Sequence, residues 1–272
     1  MDPQPGNNGS DQWRGIDLSG TCAVLGAGTG RLIQVLSEQV HHHGGQMLVV
    51  GDRPDIMTAL KPLIPESVVQ FVQGRYTALP FATESIDLLA INGVLRQVPP
   101  SAMIRLFDEI WRVLIPGGQI RISDIIEATE DERERTWMIK NAIVRKLASA
   151  LSRPTALSVD LRQAAVALKE AGFDDLSASF LPGYALTDAW LDETVRALKS
   201  MTTRLADTNL RQEILVQDIG ALQAAYARGE QRASQRFVLR ALKVGTLALD
   251  MRASFTEDDL IVDDDPLTDS DI

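Results

Sequence analysis

Apolar positions in the first half of the chain alternate between two rhythms. "TCAVL" (21–25) is a short apolar run of the kind a buried strand makes, and beyond a glycine-rich turn Leu32, Val35, Leu36 and Val40 recur at three- and four-residue steps, the inner face of a helix. "QMLVVGD" is a second strand ending in an acid, and Ile56, Leu60, Leu63 and Ile64 restore helical spacing. "VVQFVQG" and "SIDLLAI" read as third and fourth strands. In "SAMIRLFDEIWRVL" the residues Met103, Leu106, Phe107, Ile110, Trp111 and Leu114 mark the clearest helix, which "PGG" is expected to end before a fifth strand, "GQIRISDII". Strands alternating with helices predict an α/β fold with a mostly parallel sheet covered on both faces, whose ligand site lies at the carboxyl ends of the strands.

After Asp124 the rhythm changes. Thr129 and Glu132 have capping-box spacing ahead of a charged helix with Ile139, Ile143 and Leu147 along one side. "SVDLRQAAVALKEAGF" predicts a helix stopped by glycine, and "LSASFL" a sixth strand. Residues 187–229 read as two helices, with apolar faces at Trp190, Leu191, Val195 and Leu198 and at Leu210, Ile214, Leu222 and Tyr226. "RFVLRALKV" is the apolar β-like run that remains for a last strand. The expected organisation is a flexible leader over 1–15, one domain over 16–245 with a helical cap at 127–156 and a helical insertion at 185–230, and an acidic tail over 246–272.

Charge narrows the partners. Of the net charge of −10, eight acids with no base fall between Glu257 and Asp271, a stretch that repels itself and is expected to be disordered. The rest is nearly neutral and offers no basic surface for phosphate backbones, so nucleic acid is not an expected partner. No apolar run is long enough for a membrane span, and the first residues lack the regions of a secretory signal, so a cytoplasmic chain is expected. Cys22 lies inside the first apolar run and reads as a buried hydrophobe. His41, His42 and His43 read as a solvated turn rather than a metal site, and no metal is expected.

Chemistry concentrates at the glycine turn. Gly26, Gly28 and Gly30 permit positive φ and close approach of a ligand to the main chain, but the third glycine of a dinucleotide fingerprint would stand at Arg31, and no Walker Lys-Ser/Thr follows. Asp52 lies 22 residues beyond Gly30, near the separation of about 20 at which a strand-end acid accepts from ribose hydroxyls; the other reading is that it only opens the turn "GDRPD".

With "GRYTALPFATESIDLLAINGVLRQV" and "EIWRVLIPGGQIRISD", the turn "VLGAGTG" makes residues 20–125 resemble a class I S-adenosylmethionine-dependent methyltransferase of the ubiquinone and menaquinone C-methyltransferase type. The resemblance implies a Rossmann-like seven-stranded sheet with an antiparallel last strand, S-adenosylmethionine as cofactor, and methyl transfer to a small organic or lipophilic acceptor. It departs at Val24, where relatives carry an acid that helps hold the methionine end, and at Gly74-Arg75, where they often carry Gly-Asp. Each lost hydrogen bond would weaken binding up to about tenfold. The cofactor candidates are Gly26, Ala27, Gly28, Gly30, Asp52, Arg53, Gly74, Arg75 and Asn92.

Methyl transfer is in-line displacement, in which alignment and dryness do most of the work, so a catalytic residue is hard to read from sequence. Asp124 is a candidate base, with a cap or turn acceptor as its other reading. Arg96 and Gln97 follow the fourth strand, where many relatives have a histidine pair, and Trp137, Met138 and Tyr184 are candidates for an acceptor pocket or for core packing. The departures at Val24 and Arg75 also admit a non-catalytic methyltransferase-like scaffold that binds a protein partner, or a second copy, through the helical insertion and tail.

Overall fold

The structure, a computed structural model, describes residues 16–26, 31–51, 54–61, 64, 69–125, 131–153, 155, 156 and 158–245. Its first half alternates strictly: β1 (Thr21–Leu25), α1 (Arg31–His42), β2 (Gln46–Gly51), α2 (Pro54–Leu60), β3 (Val69–Gln73), β4 (Ile86–Asn92), α3 (Pro100–Val113) and β5 (Leu114–Ile125). Then come α4 (Arg135–Ala150), α5 (Leu161–Glu170), β6 (Phe173–Leu181), α6 (Asp188–Thr202), α7 (Thr208–Glu213), α8 (Ile219–Tyr226) and β7 (Arg236–Lys243).

The strands form one seven-stranded sheet in the order β3-β2-β1-β4-β5-β7-β6. The first five pair in parallel, and β7 runs antiparallel between β5 and β6. This is the sheet that the resemblance implies, and "RFVLRALKV" is its inverted strand.

The pleat sorts the core. Along β1, Ala23 and Leu25 face α3 and α5, in a cluster with Leu106, Phe107, Ile110 and Leu168. Cys22 and Val24 face the other way, with Ile33, Leu36 and Val40 of α1 and Met47 and Val49 of β2. Burial first, then the charges of Asp87 and Asp17, push the Cys22 thiol up to about 12, which makes it inert at neutral pH. A third cluster joins Ile143 and Leu147 of α4 to Leu198 of α6, Ile214, and Ile219 and Leu222 of α8, so the segments flanking α5 and β6 form a helical layer of their own.

Some boundaries differ from expectation. The Pro116-Gly117-Gly118 segment does not stop α3, which already ends at Val113; it lies within β5, where the register against β4 shifts between Ile86 and Leu88. Thr129 lies outside the described residues. In place of a box ending on Glu132, Asp131 accepts from Arg133 N and caps a 3-10 turn (Glu132–Glu134) that leads into α4. The sixth strand begins earlier than "LSASFL", at Phe173. The second insertion helix is interrupted by a π turn, Ile214–Asp218, between α7 and α8. Among the described residues no helix is long and apolar enough to cross a membrane, and no three His, Cys, Asp or Glu gather as metal ligands.

Candidate functional site

The carboxyl ends of β1, β2 and β4 converge on Gly26. Its φ is +87°, and a Cβ there would lie 2.4 Å from Cγ2 of Val94 and 2.8 Å from the Asn92 carbonyl oxygen. Its N–H donates to the Val50 carbonyl at 3.3 Å, so bare backbone at this position lets the end of β1 sit tightly between β2 and β4. Asn92 closes β4 opposite Ser123 and is half-buried. Gly93 turns away with φ +67°, and a Cβ there would meet nothing nearer than Arg96 Nη2 at 3.6 Å, which leaves open space above the main chain.

Ala27, Gly28, Gly30, Asp52 and Arg53 lie outside the described residues. Gly74 donates to the Gly51 carbonyl at 3.1 Å, and a Cβ on it would lie 2.8 Å from Pro80 Cδ, so packing as well as any ligand requires glycine there. Arg75 is exposed and bridges to Ala78. Val24 is fully buried, so the position that holds an acid in relatives is here part of the apolar core.

On the acceptor side, Arg96 and Asp124 come together. Arg96 lies in a 3-10 turn (Leu95–Gln97) just after β4, and its Nε donates to Oδ1 of Asp124, next to last in β5, at 2.6 Å. The carboxylate is wholly buried, Oδ1 also accepts from Ile125 N at 2.9 Å, and Oδ2 is buried with no partner among the described residues. Burial lifts the Asp124 carboxyl above its ordinary range, although Arg96 pulls it down. Gln97 is exposed and donates to the Gly93 carbonyl at 3.1 Å. Behind the pair, Thr155 Oγ1 and Ala156 N both donate to the Arg96 carbonyl, at 3.0 and 2.7 Å, fastening the cap to this turn.

The start of α4 is tied to the segment before β7. Arg232 N donates to the Arg133 carbonyl at 2.7 Å, Thr136 Oγ1 donates to Gln231 Oε1 at 2.8 Å, and the Arg232 guanidinium reaches Asp131 at 2.8 Å and the buried Glu134 at 3.3 Å. Since β7 enters the sheet beside the end of β5, with Arg236 opposite Ile125, these ties hold the start of α4 beside the ends of β5 and β7.

Trp137 and Tyr184 do meet there. Their rings are edge to face at 5.9 Å, and Trp190 of α6 stacks on Trp137 at 5.9 Å with a 29° tilt. Met138 stays outside, 45% exposed. Two residues of this cluster had no place in the sequence-based pocket: Trp190, read only as an apolar face position, and Lys140, whose Nζ stands 4.6 Å from the Trp137 ring centroid. The available signal was Lys140 three residues after Trp137, neighbours on one helix face. On the other side of α4, Ile139, Ile143, Lys146, Leu210, Asp218 and Ala221 help line an open groove of about 980 Å³. Lys146 there bonds Glu213 at 2.5 Å and Asp218 at 2.8 Å, bracketing the π turn.

Comparison with known proteins gives this arrangement its relatives. Residues 24–122 match the methyltransferase domain family. The ubiquinone/menaquinone biosynthesis C-methyltransferase of Xanthomonas axonopodis pv. citri is 36% identical over 113 residues, which cover 39% of this chain and 43% of that protein. The chain thus spans less than half the length of the first curated relatives it matches. Among solved structures, Haemonchus contortus phosphoethanolamine N-methyltransferase 2 in complex with S-adenosyl-L-methionine aligns with TM-score 0.53 at 15% identity, over 90% of this chain and 54% of that one. The cyclase SpnF aligns with TM-score 0.53 at 17% identity, over 88% and 80%, so the fold by itself does not decide the chemistry. Residues 24–122 thus match the methyltransferase domain family and are similar to part of the ubiquinone/menaquinone C-methyltransferases.

Proposed function

We propose that the chain is an S-adenosylmethionine-dependent methyltransferase whose acceptor is a small molecule received between the strand ends and the cap. The observation that carries this reading is the position of the matched domain within the fold. Gly26, the first glycine of its turn, lies at the junction of β1, β2 and β4, and a helical layer is tied to the neighbouring ends of β5 and β7. The described residues fit a nucleoside cofactor at one end, with bare backbone at Gly26 and Gly93 and a half-buried amide at Asn92. Ala27, Gly28, Gly30 and Asp52, with Arg53 beside it, complete that set by sequence. They fit less well at two places: Val24 offers no carboxylate to the methionine end, and Arg75 no acceptor to the adenine.

When bound, S-adenosylmethionine would supply an electrophilic methyl group on its sulfonium. The protein's task is then to align the acceptor and exclude water. In this reading Asp124, already committed to Arg96, holds the turn after β4 rather than acting as the base, and Gln97 keeps that turn closed on Gly93. A cytosolic location belongs to the same reading, since the one buried cysteine requires no oxidising compartment. So does assignment of the α6 to α8 surface to a second copy or protein partner, which light scattering would register as added mass.

Calorimetry with S-adenosylmethionine and S-adenosylhomocysteine tests the proposal, because a catalyst must bind both. Cofactor at about 100 times its dissociation constant should stabilise the fold by about 2.7 kcal/mol and raise Tm measurably. Asp52→Ala should shrink that shift more than Asp55→Ala does, and equal effects would take Asp52 out of the site. Arg75→Asp should tighten binding if arginine represents a lost adenine contact, and weaken it if arginine supports the cofactor. Gly26→Ala combines a positive φ with a collision against β4, so it should cost about 1–3 kcal/mol of stability and at least tenfold in cofactor affinity. No heat and no thermal shift with millimolar cofactor would overturn the proposal.

A further inference from the structure

Among the described residues Lys140 is a cation without an anion. Its Nζ rests over Trp137 and donates to Asn141 Oδ1 at 3.3 Å; among the described residues no carboxylate pairs with it. The charge that acts on it is a second cation, Arg96, whose own carboxylate partner, Asp124, is wholly buried. Arg96 and Asp124 offset each other, and the positive charge of Lys140 is left over. Desolvation first and Arg96 second lower its pKa to about 8, so at neutral pH Lys140 is still mostly charged although its ammonium is poorly hydrated. An anion brought to this place would return the interaction that burial removed.

The surroundings specify the shape of that anion. Trp137, which the ammonium faces, makes an edge-to-face pair with Tyr184 and a stacked pair with Trp190, and Tyr184 at 46% exposure opens the ring cluster to solvent. The indole Nε1 of Trp137 is buried and finds no acceptor among the described residues. A donor lacking an acceptor, an ammonium lacking a counter-ion and flat apolar walls describe the complement of a planar ring bearing a negatively charged oxygen pair.

We propose that Lys140, with the rings of Trp137, Tyr184 and Trp190, forms a binding site for an aromatic carboxylate. Its identity as the methyl acceptor rests on the methyltransferase reading, but the binding itself does not.

The test titrates 2-naphthoate into the full chain, with and without saturating S-adenosylhomocysteine, and compares the uncharged 2-naphthamide and inorganic phosphate; calorimetry and quenching of tryptophan fluorescence report binding. Naphthoate should bind at least tenfold tighter than naphthamide or phosphate, since a hydrogen bond to a charged group is worth about ten- to a hundredfold. Lys140→Met should remove that preference, lowering naphthoate affinity about tenfold or more while leaving naphthamide and S-adenosylhomocysteine binding unchanged. Lys140→Arg should retain most of it, which separates charge from packing. Tm of each variant checks that it is folded. Equal affinity for naphthoate and naphthamide, equal affinity for phosphate, or a naphthoate affinity indifferent to Lys140→Met would each overturn the site. Binding of S-adenosylhomocysteine without naphthoate sinks this inference alone. Binding of naphthoate without S-adenosylhomocysteine sustains the site and sinks the methyltransferase reading instead.

Discussion

Truncation after Arg232 is expected to abolish cooperative unfolding. The deleted part contains β7, which exchanges hydrogen bonds with β5 from Gln119 to Ile125 on one side and with β6 from Phe173 to Leu181 on the other. Its removal opens two ladders of backbone donors and acceptors to no partner, and it takes Phe237, Val238, Leu239 and Ala241, all buried, out of the core. Lys243 goes with them; its buried ammonium donates to the Leu114 carbonyl at 2.8 Å and lies 4.0 Å from the Trp111 ring centroid, pinning the start of β5. Against a total stability of about 5–15 kcal/mol, the loss of a central strand cannot be absorbed. Circular dichroism during a urea titration should show a broad, non-sigmoidal change for 1–232. Truncation after Phe255 removes the acid-rich end and, if its low apolar content keeps it from docking, should leave the midpoint within error. A sigmoidal transition for 1–232 with the slope of the full chain would show that β7 is dispensable.

Arg96→Ala should be the most damaging single substitution at the strand ends, costing about 3–5 kcal/mol at neutral pH, because it leaves Asp124 as a buried carboxylate without its cation. The loss should depend on pH in a defined direction. Burial already raises the Asp124 pKa above the ordinary 3.8, and without Arg96 it rises further. A carboxyl raised in the folded state is penalised while charged, so the deficit is fully present above the folded pKa and fades as pH falls through it towards 3.8. The difference between wild type and variant in denaturant titrations should therefore be smaller at pH 4 than at pH 8. Asp124→Asn added to Arg96→Ala should recover much of the loss at pH 8, a coupling that a double-mutant cycle measures. A deficit equal at both pH values, and untouched by Asp124→Asn, would mean that Arg96 acts through packing rather than through the buried carboxylate. Methyl transfer that survives Asp124→Asn would also separate this residue's structural role from that of a base.

The elements were legible in the chain because each is a local consequence of burying one face. Residues 100–113 repeat their apolar positions at helical steps, and the same positions, Met103, Leu106, Phe107 and Ile110, are the buried ones. The run from Phe237 to Val244 contained enough alternating and apolar positions to be recognised as a strand, and motif resemblance supplied its inverted direction. Gly26 was legible too, since a positive φ next to another strand end leaves little choice of residue. Boundaries were less so: Pro116 and Gly117 punctuate any pattern, and only pairing with β4 makes them a bulge inside β5 rather than a helix stop.

What tertiary structure alone decided is which charges meet. Arg96 and Asp124 are 28 residues apart and were separate candidates in sequence; two parallel strand ends make them one ion pair. Asp124 thereby changes from a candidate base into a group already engaged. Lys140 drew no attention, because a lysine on a charged helix is ordinarily solvated. The start of α4, held by Gln231 and Arg232, carries its ammonium over the Trp137 ring into a setting where burial and the charge of Arg96 act on it. Periodicity records whether a residue faces water or protein, a property of one element at a time. Electrostatics depends on distances between elements, and those are set when the sheet closes and the cap is fastened to it.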